Sequence, residues 1–284
     1  MSTDKSLGEW IRARLSTNPT LKLYTLFDPS AHPDLPAKLW QLDGGINYEP
    51  LLLGVVEDTT SLCAGPWLVE TEPTSDWSKW FVQELKRHAA GYLLCSDQSM
   101  QRVADWMRNR SAVELADGRT GQFRCYDPRI LVAYWNIATD AERAALLGPI
   151  QCIWGWDQLE SKAFELQAPE GARQLEEPGI LCLEQDQLDA INRRNEPYRM
   201  AQYLENHCFE LVEGYSYEQL VILLHQDMLV VADRLGLEDA RSRFMFVLLR
   251  LQPPDWLAGL HLEKRPWEAC NQSFAQWVDN QSPN

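Results

Sequence analysis

Apolar residues in the first 165 positions fall in short runs separated by turn-forming residues. Residues 21–27, 51–56, 67–70, 92–95 and 150–156 read as strands, several bounded by Gly, Pro or Asp. Between them the period changes to that of a helix. Residues 7–15 place Trp10 and Ile11 on one side, and Pro36 opens a short helix through Leu39, Trp40 and Leu42. Residues 77–88 repeat Trp77, Trp80, Phe81 and Leu85 at helical spacing behind a Ser75 or Asp76 cap, and residues 98–110 turn Val103, Trp106 and Met107 inward. Gly44-Gly45, Gly91 and Gly148-Pro149 close these elements. Such irregular alternation over residues 20–165 predicts an α/β or α+β sheet domain, with residues 150–156 as its last strong strand.

Residues 165–179 contain Pro169, Gly171, Glu176, Glu177 and Pro178 and read as a linker. Beyond it the residues are helix formers. One helix is expected over 186–194, broken by Pro197, which starts a second through His207. Ser216 and Gln219 form a capping box ahead of Leu220, Leu223, Leu224, Met228, Val231 and Leu235, one apolar face over about four turns. Gly236 ends it, residues 239–251 supply the next helix, and residues 267–278 a weaker one. The expected organisation is a sheet domain over 1–165, a linker over 166–179 and an all-helical lobe over 180–284.

Composition narrows the class. A chain of 284 residues, 45% hydrophobic and 24% charged, has the make-up of a soluble globular protein. No stretch reaches the ~20 apolar residues of a membrane span, and the first residues lack the apolar core of a secretory signal, so the cytoplasm is the expected location. The net charge is −15, spread along the chain: residues 171–284 hold 10 basic and 18 acidic residues, residues 1–170 hold 16 and 23. Neither half suits nucleic acid or an anionic membrane. The seven cysteines are scattered without metal or disulfide spacing and read as buried thiols.

One stretch ties the first half together. Asp117-Gly118 is a turn between strand-like residues 112–115 and 122–126. Alternation sends Phe123 and Cys125 to one face, Arg124 and Tyr126 to the other. Asp127 then reads as a helix N-cap with Pro128 at the first helical position, ahead of Ile130, Leu131, Ala133 and Tyr134. In structural terms Asp127 caps the helix while an arginine, Arg124 or Arg129, pairs with a nearby carboxylate. The sharper alternative is an anion site at the helix N-terminus, disfavoured because the capping carboxylate already occupies its donors.

The segment Phe123-Arg124-Cys125-Tyr126-Asp127-Pro128-Arg129, followed by a hydrophobic helix, resembles the type VI secretion effector chaperones, the Tap/Tec-like adaptor family named for a domain of unknown function. Tyr24-Thr25-Leu26-Phe27-Asp28, Gly65-Pro66-Trp67-Leu68-Val69, Gly91-Tyr92-Leu93-Leu94-Cys95-Ser96 and Gly148-Pro149 follow the order of that family over ~140 residues. Cys125 departs from it, where an aromatic is more usual. The resemblance implies a cytoplasmic, non-enzymatic adaptor that binds a cognate effector before export and helps load it onto the valine-glycine-repeat spike. An accessory co-chaperone or self-association is a further possible partnership. A helical C-terminal extension is common in that family.

Candidate chemistry is sparse. His32, His88, His207, His225 and His261 show no two-His metal spacing, and neither a phosphate loop nor a Gly-x-Ser-x-Gly elbow is present, so no cofactor, metal or catalytic residue is expected. Among twelve tryptophans, Trp256 and Trp267 lie in irregular stretches and are the candidate partner-binding anchors. Two other classes stay open: an enzyme using Arg124, Asp127 and the histidines between two lobes, and an immunity protein whose acidity matches a basic toxin.

Overall fold

The computed structural model describes residues 7–43, 47–52, 65–169, 179–252, 262, 268 and 272–281. Two compact units divide the chain, Met1–Arg194 and Asn195–Asn284. The elements of the first are α1 (Leu7–Thr17), β1 (Lys22–Phe27), α2 (Leu35–Leu42), β2 (Tyr48–Pro50), β3 (Trp67–Thr71), α3 (Asp76–Glu84), β4 (Gly91–Ser96) and α4 (Met100–Arg110). They continue with β5 (Ala112–Leu115), β6 (Thr120–Gln122), α5 (Pro128–Ile137), α6 (Asp140–Leu147), β7 (Cys152–Asp157), β8 (Lys162–Gln167) and β9 (Leu181–Leu183). The first residues of α7 (Gln185–His207) complete it.

Six strands form an antiparallel sheet in the order β2-β3-β1-β4-β7-β8. Its central strands are buried on both faces, so they read as continuous apolar runs. The pleat sorts their side chains. Tyr24, Leu26, Leu68, Tyr92, Leu94 and Ile153 join one core with Val103, Met107, Leu131 and Leu147 from helices. Leu23, Phe27, Val69, Leu93, Cys95 and Trp154 join the other with Ile11, Leu39, Trp77 and Phe81. The buried Thr25 hydroxyl accepts a hydrogen bond from Trp77 Nε1 at 3.0 Å, which satisfies both polar atoms between sheet and α3.

Local signals set most boundaries. Ser75, Ser99 and Asp127 cap α3, α4 and α5 with their side chains. Gly118, at φ +79°, makes the turn between β5 and β6, in a conformation that glycine adopts without Cβ strain.

Several expectations are corrected. The strand expected over 122–126 stops at Gln122. Phe123 N–H still donates to Ser111 O at 2.9 Å, but Cys125 N–H then turns back to Phe123 O and Asp127 N–H to Arg124 O, because the chain must enter α5 through Pro128. Alternation fails with it, and Tyr126 is buried along with Phe123 and Cys125. In place of a strand over 51–56, the pairing residues are 48–50, residues 51–52 form a turn, and 53–56 lie outside the described residues. Residues 150–156 are not the last strand: β8 pairs with β7, and β9 lies parallel to β5 in a three-stranded sheet of order β6-β5-β9. The division at residue 194 therefore falls later than the boundary expected at 165–180, since β9 returns to the first unit. Of the expected linker, 166–167 belong to β8 and 170–178 lie outside the described residues.

The second unit is helical. It holds the rest of α7, α8 (Phe209–Val212), α9 (Tyr217–Leu223), a π-helical turn (Leu224–Met228), α10 (Leu229–Arg234), α11 (Ala240–Leu251) and α12 (Phe274–Gln281). Pro197 sits inside α7 without ending it. The Ser216–Gln219 capping box forms with both of its hydrogen bonds. The helix it opens is not uniform, because the π turn shifts the phase of its apolar face midway. Ala232, Leu235, Leu237, Phe246, Phe274, Trp277 and Val278 form the core of this unit. Beside it the buried Arg243 guanidinium is held by both carboxylate oxygens of Glu196, at 2.6 and 2.8 Å.

Candidate functional site

β1 ends at one edge of the central sheet pairing, where Phe27 faces Gly91. The next residue, Asp28, is buried and donates its N–H to Ala90 O at 2.8 Å. Its Oδ1 accepts from the Ser30 N–H and hydroxyl at 2.9 and 2.6 Å, an Asx turn that fixes the loop. Its Oδ2 accepts from Arg124 Nη2 at 3.1 Å. Ninety-six positions separate the two residues in sequence, and the fold joins them.

Arg124 lies on the turn into α5, half exposed, with its guanidinium 5.6 Å from the centre of the Tyr126 ring. Burial works against its charge, but Tyr126, Asp127 and Asp28 outweigh that and hold the guanidinium above its ordinary value. Burial likewise pushes the Tyr126 phenol up, opposed by Arg124. Asp127 takes the other arginine. Its Oδ1 accepts from Arg129 N–H at 3.0 Å and Nε at 2.9 Å, and its Oδ2 accepts from Nη2 at 2.7 Å. One carboxylate thus caps the helix and grips the guanidinium side-on.

The apolar residues of the motif anchor this polar rim. Phe123 packs edge-on against Tyr134 at 5.2 Å. Cys125 is fully buried, its thiol pushed up to about 12 by burial, and its carbonyl accepts from the Tyr92 hydroxyl at 2.9 Å. Pro128 is buried at the start of α5. Gly65 and Pro66 are also buried, far from this turn in sequence, where Pro66 O accepts from Leu51 N–H at 2.8 Å and sets the start of β3. Asp28, Arg124, Asp127 and Arg129 therefore form two satisfied ion pairs. Chemically this arrangement locks strand, turn and helix together, and its carboxylates are already occupied by donors.

Other sequence candidates fare differently. Trp256 and Trp267 lie outside the described residues. Cys95 and Cys152 are buried as expected, cross-strand partners on β4 and β7. The hydrogen bond that the Cys95 thiol donates to Cys152, together with burial, holds Cys95 well above its ordinary range, which makes it inert. Cys182 is exposed and Cys208 half-buried, a correction to the expectation of burial; Cys182 sits between buried Leu181 and Leu183 and the pleat of β9 turns it outward. Among the described residues, exposed aromatics appear at Trp40 in the first unit and at Tyr203, Phe209 and Tyr215 in the second. Tyr203 stacks on His207 at 4.3 Å and meets Phe244 edge-on at 5.1 Å, so its exposure is partial.

Residues 23–145 match a family model. It describes the domain of unknown function DUF4123. That domain is associated with adaptor chaperones of type VI secretion effectors. The match covers less than half of the chain and runs from β1 into α6. The matched segment encloses both members of the Asp28–Arg124 pair and all of the Phe123–Arg129 motif. No curated protein and no solved structure matches the chain.

Proposed function

We propose that this protein is a non-enzymatic adaptor chaperone of the Tap/Tec-like kind, which binds a cognate type VI secretion effector and helps load it onto the spike protein. The observation that carries the proposal is the DUF4123 match over residues 23–145, the segment that contains both partners of the Asp28–Arg124 pair. The site chemistry supports recognition over turnover: the motif carboxylates are engaged in capping and ion pairing, which stiffens a platform. Holding an effector's apolar surface favours its soluble state by mass action, and exposed aromatics such as Tyr203 and Phe209 suit such a contact. No helix of the described residues is long and apolar enough to cross a membrane. The proposed location is the cytoplasm, where effectors are loaded.

Deleting the gene tests this proposal. One effector should vanish from the secreted proteins, and often from the cell, while other cargo is still exported. Purified components should associate without nucleotide and bury at least about 1,200 Å². Uniform loss of all cargo would overturn the proposal, because a part of the apparatus affects every client. Turnover of a small molecule by the purified protein would favour an enzyme, and protection of cells from a toxin by this chain alone would favour an immunity protein.

A further inference from the structure

His32 lies on the loop after β1, four residues beyond Asp28, and Glu84 is the last residue of α3. His88 follows one turn later, just ahead of β4. Because β1 and β4 are paired, with Phe27 opposite Gly91, the loop leaving one strand and the turn entering the other come together at the same end of the sheet. The result is a three-residue cluster. His32 Nε2 and His88 Nε2 each stand 3.8 Å from the same oxygen, Glu84 Oε2. The ligand atoms of all three lie within 4.8 Å of one another, and the two imidazole rings meet edge to face at 4.6 Å.

The position of Glu84 is costly as it stands. Its carboxylate is buried, and it sits at the C-terminal end of a helix, where the macrodipole disfavours negative charge. Arg87 Nη1 donates to Oε1 at 3.1 Å, leaving Oε2 to the two imidazoles. A separation of 3.8 Å is too long for a hydrogen bond. It is close to the spacing of two ligands on one ion: metal bonds of about 2.0–2.2 Å in a tetrahedron put ligand atoms about 3.4 Å apart. Each imidazole needs to approach the carboxylate by only a few tenths of an ångström to meet it, and the two imidazoles close on each other from within 4.8 Å.

We propose that His32, Glu84 and His88 bind one divalent zinc-like cation, with the fourth position open on the side where His88 is partly exposed. Two imidazoles and one carboxylate form a borderline donor set suited to zinc. Arg87 on the remaining Glu84 oxygen orients the carboxylate, as an outer partner does in metal sites. The ion would tie the loop after β1 to the turn before β4, next to Asp28 and its partner Arg124. This inference is independent of the adaptor proposal, since it rests on the cluster's own geometry.

The test uses the untagged full chain, stripped of metal and titrated with Zn²⁺ by calorimetry, with Co²⁺ as a spectroscopic probe of tetrahedral coordination. One ion should bind per chain and raise the thermal midpoint. His88→Ala and His32→Ala should each weaken Zn²⁺ binding by about tenfold or more. His88 is partly exposed, so H88A should keep the metal-free fold, checked by circular dichroism. Absence of saturable binding in the wild type overturns the proposal, as does wild-type affinity in either variant.

Discussion

At the scale of single residues, the two arginines of the motif are not equivalent. Arg129 is mostly buried and held side-on by Asp127, whereas Arg124 is half exposed and meets Asp28 through one nitrogen. Asp127→Ala removes both the cap of α5 and the partner of a partly buried guanidinium. It should lower unfolding free energy by about 2–3 kcal/mol, measured by denaturant titration. Arg124→Ala breaks a solvent-screened pair and should cost under about 1 kcal/mol. If Asp127→Ala left stability unchanged while effector binding collapsed, the residue would be a recognition group and not a structural one.

At the scale of elements, α6 carries a capping box that links it to α7. The Glu142 carboxylate accepts from the Thr139 N–H at 2.7 Å, from its hydroxyl at 2.8 Å, and from Gln187 Nε2 at 2.9 Å. Burial disfavours the Glu142 charge, but the bonds from Gln187 and Thr139 outweigh it and hold the carboxyl below its ordinary value. A depressed carboxyl contributes stability that is fully present above its unfolded value, about 4.3, and lost as pH falls through the lower folded one. Denaturation midpoints of the wild type should therefore drop as pH falls below about 4, and Glu142→Gln should flatten part of that drop. Equal slopes for both proteins would show that the box contributes through geometry alone.

At the scale of the whole molecule, a net charge of −15 shared by both halves of the chain sets which surfaces it meets productively. The full chain should not be retained by duplex DNA or by vesicles rich in anionic lipid at low salt, where electrostatic attraction is strongest. Co-sedimentation and filter binding check this. Salt-sensitive retention on either would reveal a concentrated basic face that the overall charge conceals.

The sequence by itself determined the features that depend on neighbours along the chain. Ser75, Asp127 and Ser216 cap helices because a side-chain oxygen needs only the next two or three N–H groups. The Asp117-Gly118 turn and the sheet-then-helix order are legible for the same reason, as is the pairing of Asp127 with Arg129 two residues on. Tertiary structure decided what depends on partners distant in sequence. Asp28 was visible as a strand end, but only the register of β1 against β4 and the turn into α5 brings it to Arg124. β9 is too short for a pattern of its own and is fixed by lying parallel to β5, which carries the first unit past the expected linker. Pro197 stays inside α7 because packing on flanking turns, through Ile191 and Leu204 among others, offsets one missing hydrogen bond. Glu84 and His88 stand only four apart in the chain, but His32 joins them because paired strands deliver two separate loops to the same end of a sheet.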